Sequence, residues 1–117
     1  MGASESWGYA FDSDHPLPAM VAILNGGPWG WALRDSTWFG DYLLASPTDG
    51  CRARIHDPRQ PTQAAPAGSW DGTVPPFRLT AEVGPDTRVG REQVDRTIRE
   101  LLARLGARDI VECEPFD

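Results

Sequence analysis

The chain has 117 residues, of which 40% are hydrophobic and 24% charged, and its formal net charge is −6. This length and composition are typical of one globular domain, so we predict a single domain over residues 1–117. All eleven basic residues are arginine. The absence of lysine excludes Schiff-base catalysis, a pyridoxal anchor and a P-loop lysine. Arginine-only usage of this kind also suggests a GC-rich bacterial genome.

The negative charge is concentrated in the first half of the chain. Residues 1–51 carry six acids against Arg34 alone, a net charge of −5, whereas residues 52–117 carry eleven acids against ten arginines, a net charge of −1. Nucleic-acid binding needs concentrated positive charge, so we expect no nucleic-acid partner. A basic protein partner is favoured instead, because complementary charge speeds encounter. The alternative is that the charge serves solubility alone.

We expect a cytoplasmic protein without membrane association. No apolar run approaches the roughly 20 residues that span a bilayer, and the first residues lack a basic region followed by an apolar stretch. Cys51 and Cys113 are too few for a disulfide framework. In a reducing compartment both are expected to be small core residues.

Residue patterns in the first half predict three strands and a helix. Aromatic residues alternate with small ones over 7–11, which predicts a strand. A short helix follows over 16–24, with Ser13 or Asp14 as its N-cap. The apolar residues of 29–45 predict a hairpin that turns at Asp35-Ser36.

The second half contains the clearest periodicities. Residues 51–56 alternate strictly, with Cys51, Ala53 and Ile55 inward and the arginines and His56 outward, and residues 77–83 alternate in the same way. Between them, residues 58–76 hold five prolines and predict a long loop. Helical spacing predicts a helix over 91–105. An edge strand is predicted over 109–114.

The predicted order is β-α-β-β-β-β-α-β, which indicates an α+β fold. We expect a two-layer sandwich in which both helices pack on one face of a mainly antiparallel sheet. The order resembles that of ferredoxin-like α+β domains, a fold that hosts unrelated functions. The other face of the sheet is left open or paired, so a homodimer through that face is one expectation.

Aromatic and acidic residues mark a first candidate site. A tryptophan cluster forms either the centre of a small core or the anchor of a binding surface. One side of a sheet cannot hide all of these rings, so at least one is expected at the surface. The candidate binding residues are Trp29, Trp31, Asp35, Trp38, Asp41, Tyr42 and Trp70.

Basic residues on the outward side of the sheet mark an alternative ligand site. One imidazole and several guanidinium groups on one face can hold a carboxylate or a phosphate. The alternative is a solvated face on which arginine pairs with Glu82. The residues concerned are Arg52, Arg54, His56 and Arg78.

No catalytic residue, metal site or cofactor is predicted, since no nucleophile motif and no close pair of metal ligands occurs in the sequence. Two functions fit this pattern. The first is a small acidic inhibitor of the immunity-protein or antitoxin type, which neutralises a basic protein partner such as a toxin. The second is a small-molecule-binding protein or cofactor-independent enzyme. Its tryptophan-lined cavity would take polar contacts from His56, Arg54 and Tyr42.

Overall fold

The computed structural model describes residues 4–36, 40–48, 50–59, 75–85 and 89–114. Six strands and two helices lie in these segments, in the predicted order. Their bounds are β1 Glu5–Asp12, α1 Leu17–Leu24, β2 Ala32–Ser36, β3 Gly40–Thr48, β4 Cys51–His56, β5 Phe77–Val83, α2 Arg91–Arg104 and β6 Arg108–Cys113. Neither helix is long and apolar enough to cross a membrane within these described segments.

The six strands form one antiparallel sheet in the order β2-β3-β4-β5-β1-β6. The α+β fold class is therefore confirmed. Strands β2 to β5 form a meander, and β1 lies between β5 and β6. The two edges of the described sheet are thus β2, from the acidic half of the chain, and β6, near its C-terminal end.

The core lies between the sheet and the two helices. Strand β1 buries Trp7, Tyr9 and Phe11, and a single apolar cluster joins these rings to the buried sides of α1 and α2. The spacing that predicted α2 is confirmed by four buried residues, Val94, Ile98, Leu101 and Leu102. Burying each such side chain stabilises the fold by about 1.5–3 kcal/mol, so this interface is a main source of stability.

The structure corrects the predicted hairpin turn. Asp35 and Ser36 lie inside β2 and pair with Asp41 and Gly40 of β3. Polar residues in succession resemble a turn, but they are equally suited to an edge strand that faces water. Trp29 precedes β2 instead of belonging to it.

Two smaller predictions were also wrong. The N-cap of α1 is Pro16, and no side chain caps this helix. The Ser13 hydroxyl instead donates a hydrogen bond of 2.7 Å to the carbonyl of Leu105, which lies at the end of α2. A free carbonyl at a helix C-terminus needs such a donor. Cys113 is only half-buried and lies opposite Gly8, outside the core.

Candidate functional site

The exposed edge of the sheet carries two carboxylates in paired positions. Asp35 of β2 lies directly opposite Asp41 of β3, and Leu33 lies opposite Leu43. Leu43 is fully buried, whereas Leu33 on the edge strand remains 44% exposed. Side chains two residues apart on a strand share a face, so Leu33, Asp35 and Asp41 form one surface. We call these three residues the acidic edge.

The acidic edge places two like charges in directly paired positions. Like charges directly opposite each other in a sheet destabilise it, by roughly 0.2–1 kcal/mol. Arg34 lies on the other face of β2, where it pairs with Tyr42. Among the described residues, no ion pair includes Asp35. The edge therefore combines an exposed apolar side chain with concentrated negative charge.

The segment before β2 that carries Trp29 and Trp31 is held in place by hydrogen bonds with the Asn25 side chain. The side-chain oxygen of Asn25 accepts a hydrogen bond of 2.6 Å from the backbone N–H of Trp31. The side-chain NH₂ group of Asn25 donates a hydrogen bond of 3.1 Å to the backbone carbonyl of Trp31. Trp31 is 5% exposed, so it is a core residue and not a surface anchor. Trp29 stays half-buried, with its ring centroid 6.2 Å from that of Trp31. The other two candidate tryptophans, Trp38 and Trp70, lie outside the described residues.

Trp29 forms one wall of a cleft of about 550 Å³. The opposite wall is α2, and the ends of β3 and β4 close the remaining side. The described residues that line the cleft carry no formal charge. They are Pro28, Trp29, Gly30, Ser46, Pro47, Cys51, Val89, Gln93, Val94 and Thr97.

Hydrogen bonds to the Asp95 side chain hold α2 against the sheet. The Asp95 carboxylate accepts hydrogen bonds from the Tyr9 hydroxyl, from the Trp7 indole at 3.1 Å and from Arg99 at 3.0 Å. Burial acts to raise the pKa of Asp95, but the hydrogen bonds from Tyr9, Arg99 and Trp7 outweigh it and hold that pKa below its ordinary value. Burial and the Asp95 contact raise the pKa of Tyr9 to about 12. Asp95 therefore stays ionised and Tyr9 stays protonated at neutral pH.

The residues of the alternative ligand site lie together on the face opposite the helices. His56 is directly opposite Tyr42 on one side and Arg78 on the other, which places Tyr42 on this face and not on the acidic edge. Arg52 pairs with Glu82 at 3.1 Å, as the solvated-face alternative predicted. The sequence-predicted group of Arg52, Arg54, His56 and Arg78 is thus brought onto one surface.

The centre of that face is not exposed to water. His56 is 3% exposed, and Thr80 and Ala10 are also buried. Burial, with Arg54 and Arg78 nearby, lowers the pKa of His56 to about 4, although Asp57 acts in the opposite direction. The imidazole is therefore neutral at pH 7. A homodimer through this face stays a prediction.

The predicted cavity combined tryptophans with polar contacts from His56, Arg54 and Tyr42, but the sheet lies between these two groups of residues. Trp29 and Trp31 lie on the helix side, whereas His56, Arg54 and Tyr42 lie on the opposite face. The cleft takes its polar groups from Gln93, Thr97 and Ser46 instead, and sequence reasoning missed these residues. Gln93 and Thr97 are four residues apart on α2, which places them on one side of the helix, but nothing in the sequence places that side against Trp29.

Within the described segments, no group of three metal-ligating side chains occurs. Comparisons of the chain with protein families and with curated protein sequences find no match. The candidate sites therefore rest on geometry and chemistry alone.

Proposed function

We propose that this chain is a cytoplasmic protein-binding inhibitor of the immunity-protein or antitoxin type, which neutralises a basic protein partner in a bacterium. The observation that carries the proposal is the acidic edge. Asp35 and Asp41 oppose each other beside the exposed Leu33, on the outermost strand of the described sheet.

The chemistry of the edge suits a basic protein surface. Interfaces combine an apolar anchor at their centre with polar groups around it, and Leu33 beside two carboxylates has this composition. Lysine or arginine of the partner would bring a positive charge to Asp35 and Asp41.

The position of β2 supports the same function. An edge strand presents unpaired backbone N–H and C=O groups, to which a strand of another protein can add. A chain of net charge −6 also attracts a basic partner over several ångströms, which speeds association. Both features favour rapid, stoichiometric binding.

Site-specific photo-crosslinking in the organism that encodes the chain tests this function. A benzophenone amino acid replaces Leu33, and the matched control carries it at Arg96, an exposed position on α2. We expect one basic protein to crosslink at position 33 only. The adduct should be lost when Asp35→Asn and Asp41→Asn are introduced together.

A genetic test separates inhibition from simple binding. If the chain neutralises its partner, deletion of its gene should impair growth while the partner gene is intact and should be harmless once that gene is removed. A crosslink that forms equally at both positions, or a deletion that is harmless in the presence of the active partner, would contradict the proposal.

A further inference from the structure

We propose that the cleft between Trp29 and α2 is a binding site for an uncharged, planar heterocyclic molecule. This site lies on the helix side of the sheet, and none of its lining residues belongs to the acidic edge. The proposal therefore does not depend on the inhibitor function. At about 550 Å³, the cleft lies within the range of roughly 300–1,000 Å³ found for small-molecule sites.

Both walls of the cleft are preorganised. On one side, Asn25 holds the backbone of Trp31 through two hydrogen bonds, which fixes the segment that carries Trp29. On the other side, Asp95 of α2 accepts hydrogen bonds from Trp7 and Tyr9 of β1. Asp95 lies between the cleft residues Val94 and Thr97 on this helix, so these bonds hold that wall against the sheet. A site whose walls are already rigid loses little conformational entropy when a ligand binds.

The segment between α1 and β2, which carries Trp29 and Trp31 and is called here the tryptophan segment, also packs closely against its neighbours. A Cβ atom at Gly27 would lie 3.1 Å from Leu101 Cδ2 and 3.2 Å from the Leu24 carbonyl oxygen, so the segment lies tightly against α2 and the end of α1. A larger residue at this position would require its neighbours to shift by a few tenths of an ångström.

The lining determines the charge of the ligand. The described lining residues include no acid and no base. Burial, with Glu82 nearby, raises the pKa of the Cys51 thiol, so Cys51 is also neutral. A charged ligand would lose water here without gaining a counter-ion from the described lining residues, which is unfavourable. This part of the lining therefore favours an uncharged molecule.

The same lining favours a flat ring with hydrogen-bonding groups. The half-buried indole of Trp29 offers a surface on which a planar ring can stack. The Gln93 side chain can both donate and accept hydrogen bonds. The Thr97 hydroxyl donates a hydrogen bond of 3.3 Å to the backbone carbonyl of Gln93 and can still accept one. A neutral heterocycle that carries both donors and acceptors matches these groups.

Protein NMR of the full chain tests this site with defined probes. The probes are adenine, uracil, nicotinamide and indole, with benzoate as a charged ring and glucose as an uncharged molecule without a planar ring. We expect at least one heterocycle to shift the Trp29 indole N–H and the Gln93 side-chain signals saturably, with a Kd of about 1 mM or tighter. Benzoate and glucose should leave these signals unchanged.

Two variants assign the binding to the cleft. Gln93→Ala alters an exposed side chain and should weaken binding about three- to tenfold, whereas the neighbouring Glu92→Ala, outside the cleft, should not. Trp29→Leu should abolish binding, and its unfolding curve reports whether the fold is retained. The proposal is overturned if no heterocycle shifts the cleft signals, if benzoate shifts them equally, or if Gln93→Ala and Glu92→Ala bind alike.

Discussion

Asp35 and Asp41 face each other across the β2–β3 hairpin, in directly paired positions at an exposed edge of the sheet. Both side chains are exposed, so neither carboxylate belongs to the buried core. Under the proposed function, the same two charges attract a basic protein.

Removal of one of these charges should stabilise the free protein. In Asp35→Asn the repulsion with Asp41 disappears, so the free energy of unfolding should rise by roughly 0.2–1 kcal/mol at neutral pH and low salt. Urea titration measures the change. High salt should shrink the gain, because exposed charges are screened.

Asp14→Asn is the matched control for this prediction. Asp14 is also an exposed aspartate, but it forms an ion pair of 2.8 Å with Arg108. Its replacement should therefore leave stability unchanged or lower it slightly. Equal effects of the two substitutions would show that net charge, and not the opposed pair, is responsible.

The interface between α2 and the sheet should be the most sensitive part of the core. Leu101 is 1% exposed, and Leu101→Ala would leave a cavity beneath the tryptophan segment. We expect a loss of roughly 2–5 kcal/mol in the free energy of unfolding, measured in urea. The nearby Ala103→Ser, at an exposed position of the same helix, serves as the control. A loss below about 1 kcal/mol for Leu101→Ala would contradict the described packing.

His56 should make stability depend on pH in the mildly acidic range. Its pKa is about 4 in the folded protein, against an ordinary value of 6.5, because it is buried beside Arg54 and Arg78. Between these values the unfolded chain binds more protons than the folded one. The free energy of unfolding should therefore fall as the pH drops from 6.5 towards 4, by at most about 3 kcal/mol.

Urea titrations across this pH range check the sign. His56→Gln should remove much of the dependence, whereas His15→Gln, at a half-exposed position before α1, should preserve it. The same slope in the wild type and in His56→Gln would mean that this imidazole is not the group that titrates.

Local patterns were sufficient to predict most of the fold. The strict alternation of β4 and β5 and the helical spacing of α2 each reflect one buried side, which the sequence displays directly. The hairpin turn at Asp35-Ser36 was mispredicted because an edge strand tolerates polar residues that elsewhere mark a turn.

The candidate sites were predictable only in part. Charge asymmetry identified Asp35 and Asp41, but their direct opposition depends on strand register, which a misplaced turn conceals. The cleft depends on contact between α2 and the segment around Trp29, two regions far apart in the chain. No local pattern reports such a contact.

The rate of association with the crosslinked partner shows whether the acidic edge is the binding surface. Asp35→Asn combined with Asp41→Asn should slow association and flatten its dependence on salt, because steering by these carboxylates is lost. The control, Glu92→Gln with Glu100→Gln, removes the same charge from exposed positions of α2 and should change association less. Equal slowing by both double variants, or none by the first, would contradict the acidic edge as the binding surface.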